Sequence, residues 1–313
     1  TMKENRSMRL RAAFPSVILC LFLLCGFLPP VSAQDTVSIS TVEDLKNLAK
    51  NCSLDTWSHG KTIVLQNDLD VTNSGFVAIP TFGGTFDGGG HTISGLSLTA
   101  NEPVQGLFRY LQESGTIKNL TVNGTIASGE GKDTFGGIAG SNSGTIADCT
   151  FIGTIKGKSV IGGIAGVNEA SGRIGGCETQ GVLTGQKYTG GIAGENLGII
   201  LKSSNRSSIN TTSEEASLNI EDINLDHLKQ LEENTVPLSG HTDTGGIAGY
   251  SGGIIQSCTN SGSIGYQHMG YNIGGIAGRQ AGYLSGCTNE GTVLGRKDVG
   301  GIVGQMEPYI ILQ

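Results

Sequence analysis

Asp87 and His91 come closest in this 313-residue chain to a general acid–base pair: a carboxylate and an imidazole flanking Gly88-Gly89-Gly90. Such a pair moves protons only when both groups converge on one reacting atom. Asp-Gly-Gly-Gly is turn chemistry, and His91 has no further acidic or basic company, so the spacing predicts a turn rather than a dyad. Recognition chemistry is offered by Tyr266-Gln267-His268-Met269-Gly270-Tyr271, where two aromatics and a histidine gather in one loop. Aromatic faces beside polar groups suit sugars and peptides, which makes Tyr266, His268 and Tyr271 the candidate ligand-binding residues. The competing reading packs them as corner side chains.

Other signatures fail on spacing. None of His59, His91, His227, His241 and His268 belongs to a His-Glu-x-x-His. Gly153–Ser159 imitates a phosphate loop but has three residues between its glycines where four are required. No catalytic, cofactor or metal residue is assigned. Of seven cysteines, Cys149, Cys177, Cys258 and Cys287 have no Cys-x-x-Cys or close histidine partner. They recur at one place in four repeats, which predicts a buried core column. Adjacent rungs at 149/177 and 258/287 approach disulfide distance in an oxidising compartment, although neighbouring in-register strands rarely supply the geometry.

The elements that carry these residues are set by a five-residue phrase. Gly-Gly-Ile-Ala-Gly stands at Gly136–Gly140, Gly162–Gly166, Gly190–Gly194, Gly245–Gly249 and Gly274–Gly278, and returns as Gly-Gly-Ile-Val-Gly at Gly300–Gly304. The steps are 26, 28, 55, 29 and 26 residues, the period of a solenoid or array. Between phrases lie runs of three to five residues rich in Ile, Val and Thr and punctuated by Gly, Ser, Asn and Asp, as in Gly144-Thr145-Ile146 and Gly153-Thr154-Ile155. These are strands, not helices, and three fit in a period. A unit this small cannot bury its own apolar side chains, so equivalent strands stack, with Ile138, Ile164, Ile192, Ile247, Ile276 and Ile302 forming one inward ladder. The fold class is therefore all-β, a right-handed parallel β-helix of roughly eight to nine coils from Lys61 to Gly304, with rungs about 4.7–4.9 Å apart.

This pattern, together with Gly83–Ile93 (Gly-Gly-Thr-Phe-Asp-Gly-Gly-Gly-His-Thr-Ile) and Gly106-Leu107-Phe108, resembles the GLUG-motif repeats of bacterial surface proteins. The likeness runs from about Ser38 to Tyr309. It implies a secreted or surface-displayed β-solenoid; in that family the motif also occurs beside the catalytic part of immunoglobulin-A-cleaving metallopeptidases.

The flanks add organisation. Residues 1–33 read as an export signal: Lys3, Arg6, Arg9 and Arg11, then apolar Val17–Leu28, then Val31-Ser32-Ala33, with cleavage expected after Ala33. The apolar run is shorter than a membrane span, and no membrane span is expected in the mature chain. Cleavage would take away four basic residues and one acidic, turning 20 against 27 into 16 against 26, a net charge of −10. A surface of that sign argues against nucleic-acid partners. Residues 34–60 read as an N-terminal cap: Ser40 or Thr41 opens a helix with Val42, Leu45, Leu48 and Ala49 on one face. From 61 to 313 the chain is solenoid. Thr62–Leu65 and Phe76–Ile79 read as strands, as does each side of the turn within Thr85–Leu98. Residues 205–243 read as an insertion with a helix over 219–234, either an excursion from one coil or a degenerate coil plus helix.

The functional expectation is an exported, non-enzymatic adhesion or display scaffold whose partner is a host or microbial glycan or an extracellular protein. The alternative is a polysaccharide-acting β-helix enzyme or the accessory module of a larger secreted peptidase. A lyase or hydrolase needs carboxylates, Arg or His converging on one groove, whereas here charges are scattered over turns.

Overall fold

The computed structural model describes residues 35–99, 101–127, 133–212 and 241–308. The export segment and the helix expected over 219–234 lie outside the described residues. The rest is a parallel β-solenoid of about eight turns with one helix among the described residues.

One coil shows the plan. Thr134–Gly136, Ala139–Asn142, Thr145–Ala147 and Thr150–Lys156 are four strands, each in a different sheet. We number these sheets 1 to 4 in that order. The sequence pattern suggested three strands per period; the fourth appears because the glycine phrase itself is split, with Gly137 and Ile138 forming a bend between sheets 1 and 2. Pairing is parallel and equivalent residues stack from coil to coil, for example Ala139↔Ala165↔Ala193↔Ala248↔Ala277 in sheet 2.

The phrase is glycine-rich for steric reasons. In Gly245-Gly246-Ile247-Ala248-Gly249, a Cβ on Gly245 would overlap the Ala248 carbonyl, one on Gly246 would overlap the Gly275 carbonyl and the Asn260 side chain, and one on Gly249 would overlap the backbone of Thr189. The middle isoleucine faces inward. Ile138, Ile164, Ile192, Ile247 and Ile276 are fully buried, whereas Ile302 is 39% exposed because no described rung stacks on it.

The 55-residue step is a single coil with an excursion. Gly190 pairs directly with Gly245 across sheet 1, which rules out a degenerate extra coil between them. The excursion is also narrower than 205–243, since Ser204–Asn205, Ser208–Ile209 and Thr242–Gly245 are strands of the solenoid.

At the other end, the helix α1 (Val42–Asn51) is capped by Thr41. The Thr41 hydroxyl accepts from the Asp44 amide at 3.1 Å, and the Asp44 carboxylate accepts from the Thr41 amide at 2.9 Å. Leu45, Leu48 and Ala49 are buried, and the helix packs against Asp35–Ile39 and Ile79–Phe82. Sheet 3 already begins ahead of it, because Asp35–Ile39 pairs with Lys61–Leu65. Phe76–Ile79 is not a strand; the strand is Ile79–Phe82. The Phe76 amide donates to the Ser74 hydroxyl at 3.2 Å, so it serves a turn and not a ladder.

Candidate functional site

Asp87 and His91 are not brought together as an acid–base pair. Burial alone would raise the Asp87 carboxyl, but the Gly89 amide (3.0 Å), Asn119 (3.1 Å) and Lys118 (3.2 Å) outweigh it and hold the group below the usual carboxylate range. His91 turns away, its Nδ1 lying 3.3 Å from Asp68 of the neighbouring coil. Gly89 and Gly90 have φ of 61° and 82°, so the Asp-Gly-Gly-Gly stretch is the turn its composition predicts. No cluster of three or more metal-ligating side chains occurs among the described residues.

The loop after Ile264 forms a concavity. Gly265 and Gly270 both take positive φ, and the Met269 amide closes a turn onto the Tyr266 carbonyl at 3.2 Å. An open cavity of about 330 Å³ is lined by Thr211, Ser263, Ile264, Gly265, Tyr266, Gln267, Thr292 and Leu294. Tyr266, 39% exposed, is its aromatic member. The other two candidates are placed elsewhere. His268 is exposed at a positive-φ position in the loop, and Tyr271 is a sheet 1 residue pairing with Thr242 and Lys297; neither lines the cavity. Thr211 and Thr292, 55 and 26 residues from Tyr266, join it only through stacking of successive coils, whereas Ser263 precedes it by three residues in the same coil.

A second cluster, missed by the sequence reading, lies on the outer face of sheet 2. The residue five after the first glycine of each phrase points outward, which aligns Ser141, Val167, Glu195, Tyr250, Arg279 and Gln305. Arg279 sits over the rings of Tyr250 (4.8 Å) and Tyr188 (5.6 Å), which stack at 5.5 Å. Its guanidinium contacts Asp243 at 3.0 Å, Glu307 at 2.8 Å and the Tyr188 hydroxyl at 2.9 Å. Through these contacts Arg279 ties four successive coils, including those on either side of the excursion. The neighbouring Glu195 carboxyl is pushed up by burial and by Glu169. This is a clasp, not an open binding face. Its signal was present in the repeat register, but only for a reader comparing outward positions across periods.

The cysteine column is real and is divided. Register aligns Cys149, Cys177, Ser203, Cys258 and Cys287, so a serine separates two thiol pairs. Cys149, Cys177 and Cys258 are buried, Cys287 is half-buried, and all are free thiols. Each Sγ donates to the carbonyl two residues earlier, as Cys258 does to Gln256 at 3.4 Å, and Ser203 does the same to Leu201 at 2.9 Å.

No family model matches the chain. It is 31% identical over 156 residues to Halomucin from Haloquadratum walsbyi, a match covering 45% of this chain and about 2% of the length of that protein. Among solved structures it is similar to a "putative immunoglobulin A1 protease" from Bacteroides ovatus, with a TM-score of 0.51 and 16% identity over 87% of this chain and 83% of the other. That likeness is one of fold. No helix among the described residues is long and apolar enough to cross a membrane.

Proposed function

We propose that the chain is an exported, surface-associated repeat protein that acts as a non-enzymatic adhesion or display scaffold and binds a glycan at the Tyr266 cavity. The cavity carries the reading. Its lining offers three hydroxyls (Thr211, Ser263, Thr292), one carboxamide (Gln267), an aromatic ring and the apolar Ile264 and Leu294, with no carboxylate or amine among the described residues that line it. That combination matches a neutral sugar ring, which presents an apolar face for an aromatic and a rim of hydroxyls for polar groups. The stacked coils supply the rigidity that lets a shallow site hold its shape, and the 156-residue likeness to Halomucin supports reading the chain as a repeat module. The separation of Asp87 from His91 supports a non-enzymatic role.

The test is a screen of the protein on neutral and charged host and microbial glycans and on extracellular-matrix proteins, with a parallel assay for released reducing or unsaturated sugar. The expected result is binding to a neutral glycan without product, weakened at least about tenfold by Tyr266→Ala, the loss typical of one stacking aromatic. Tyr283→Ala, at an exposed tyrosine on sheet 3, should leave binding unchanged. Equal binding by Tyr266→Ala would remove the cavity from consideration, and sugar release would overturn the non-enzymatic reading.

A further inference from the structure

The corner that joins sheet 4 to sheet 1 gathers positive charge in a chain whose formal net charge is −7. Register sets the placement. Lys187 opens a sheet 1 strand and stands in one column with Thr242, Tyr271 and Lys297. Lys158 lies one coil before Lys187, its carbonyl accepting from the Gln186 and Lys187 amides at 2.9 and 3.0 Å. Arg296 precedes Lys297, and its amide donates to the Gly270 carbonyl at 3.1 Å. From Lys158 to Lys297 the corner advances four rungs, about 19 Å along the axis. All four side chains are exposed, and Lys158 and Lys187 belong to interior coils with described coils stacked on either side.

Nearby carboxylates are already engaged. Asp133 is buried and accepts from the Lys158 amide at 2.9 Å; Asp243, also buried, is held by Arg279 at 3.0 Å and Asn272 at 2.9 Å. Neither Lys158 nor Lys187 makes an ion pair with a described residue, and Lys187 lies instead over the Tyr188 ring at 4.5 Å. Asp298, exposed beside Lys297, offsets one charge of the strip. The strip borders the cavity, since Arg296 stands two residues after the lining residue Leu294. The loop Gly265–Tyr271 likewise runs from the cavity at Tyr266 to the Tyr271 rung of the column. A sugar chain with one ring at Tyr266 therefore continues along a row of cations. The lining has no charged group, so the seated ring must be neutral and the anions must sit on its neighbours. We infer that the glycan recognised here is an acidic polysaccharide alternating neutral sugar with uronate, its carboxylates lying on Lys158, Lys187, Arg296 and Lys297; this rests on the cavity reading and adds the charge of the partner.

The experiment measures binding of the full chain to a polymer alternating N-acetylglucosamine with glucuronate, and to the same polymer with its carboxyls reduced to alcohols. The carboxylate form should bind about tenfold more tightly, as four modest surface pairs supply. That ratio should fade at about 0.5 M salt. Lys158→Gln combined with Lys187→Gln should cut it to about threefold without weakening the reduced form, whereas Tyr266→Ala should weaken both forms alike and preserve it. Equal binding of the two forms by the wild type would overturn the proposal and leave the cavity reading standing. A ratio kept by Tyr266→Ala with no loss of affinity for either form would overturn the cavity reading, and with it the seated neutral ring. No binding to either form would overturn both. Residues 213–240, which connect Thr212 to His241 at this corner, carry seven carboxylates against one lysine. A preference for the acidic form that emerges only when those carboxylates are changed to amides would mean that the chain's own acids hold the strip, and would overturn the proposal.

Discussion

The early and late coils solve the same packing problem with different materials. In the early coils sheet 2 turns Ile79, Phe82, Phe108 and Leu111 inward, and Phe82, Phe86 and Phe108 meet with ring centroids 5.2–6.3 Å apart. From Ala139 onward the first of those columns becomes Ala139, Ala165, Ala193, Ala248 and Ala277, and the second becomes Asn142, Asn168, Asn196, Ser251 and Gln280. The inward side chains become smaller or polar where the glycine phrase begins. Amides then run along the axis: Asn142 donates to Asn168 at 2.7 Å, Asn168 to Asn196 at 2.8 Å, and Asn196 to Ser251 at 3.1 Å. A second ladder, Asn205 to Asn260 to Asn289, repeats the device in sheet 4 at 2.8 Å per step. Apolar filling stabilises without direction, whereas a buried amide ladder is favourable only when each rung is in place, so the late coils gain register at the cost of tolerance.

Three substitutions break or sharpen that contrast. Phe108→Ala, in the aromatic coils, should lower unfolding stability by about 3–5 kcal/mol, the cost of a large buried cavity. A urea melt followed by far-ultraviolet circular dichroism reads it, and a loss below about 1 kcal/mol would mean those coils are loosely packed. Asn168→Ala should cost about 2–3 kcal/mol although it removes fewer atoms, because Asn142 Nδ2 and Asn196 Oδ1 lose their partner in a buried setting. If Asn168→Ala is neutral by the same melt, the ladder does not stabilise the fold. The smallest effect has the opposite sign. Gln280 is fully buried and neither polar atom of its amide has a partner among the described residues. Its column continues as Met306, so Gln280→Met should stabilise by about 1 kcal/mol.

How much of this was legible varies with the distance over which each feature is decided. The glycine phrase, inward isoleucines, cysteine column and Thr41 cap were readable because each is local and then repeated. The split of the phrase into two strands was not, since it depends on the Ile138 bend between neighbouring sheets. The turn at Asp87-Gly88-Gly89-Gly90 was legible for the same local reason, but the partners that Asp87 and His91 take from other coils, Lys118 and Asp68, were not. The candidate loop was found, but only Tyr266 of its three residues reaches the cavity, whose Thr211 and Thr292 hydroxyls come from other coils.

The sequence alone thus determined the architecture, because a 26–29-residue period of short β-branched runs cannot bury itself except by stacking. Only the tertiary structure decided which side chains meet. Stacking places residues one period apart in contact, and pairs such as Arg279 with Tyr188 or Cys258 with Cys287 exist only once the coils are in register.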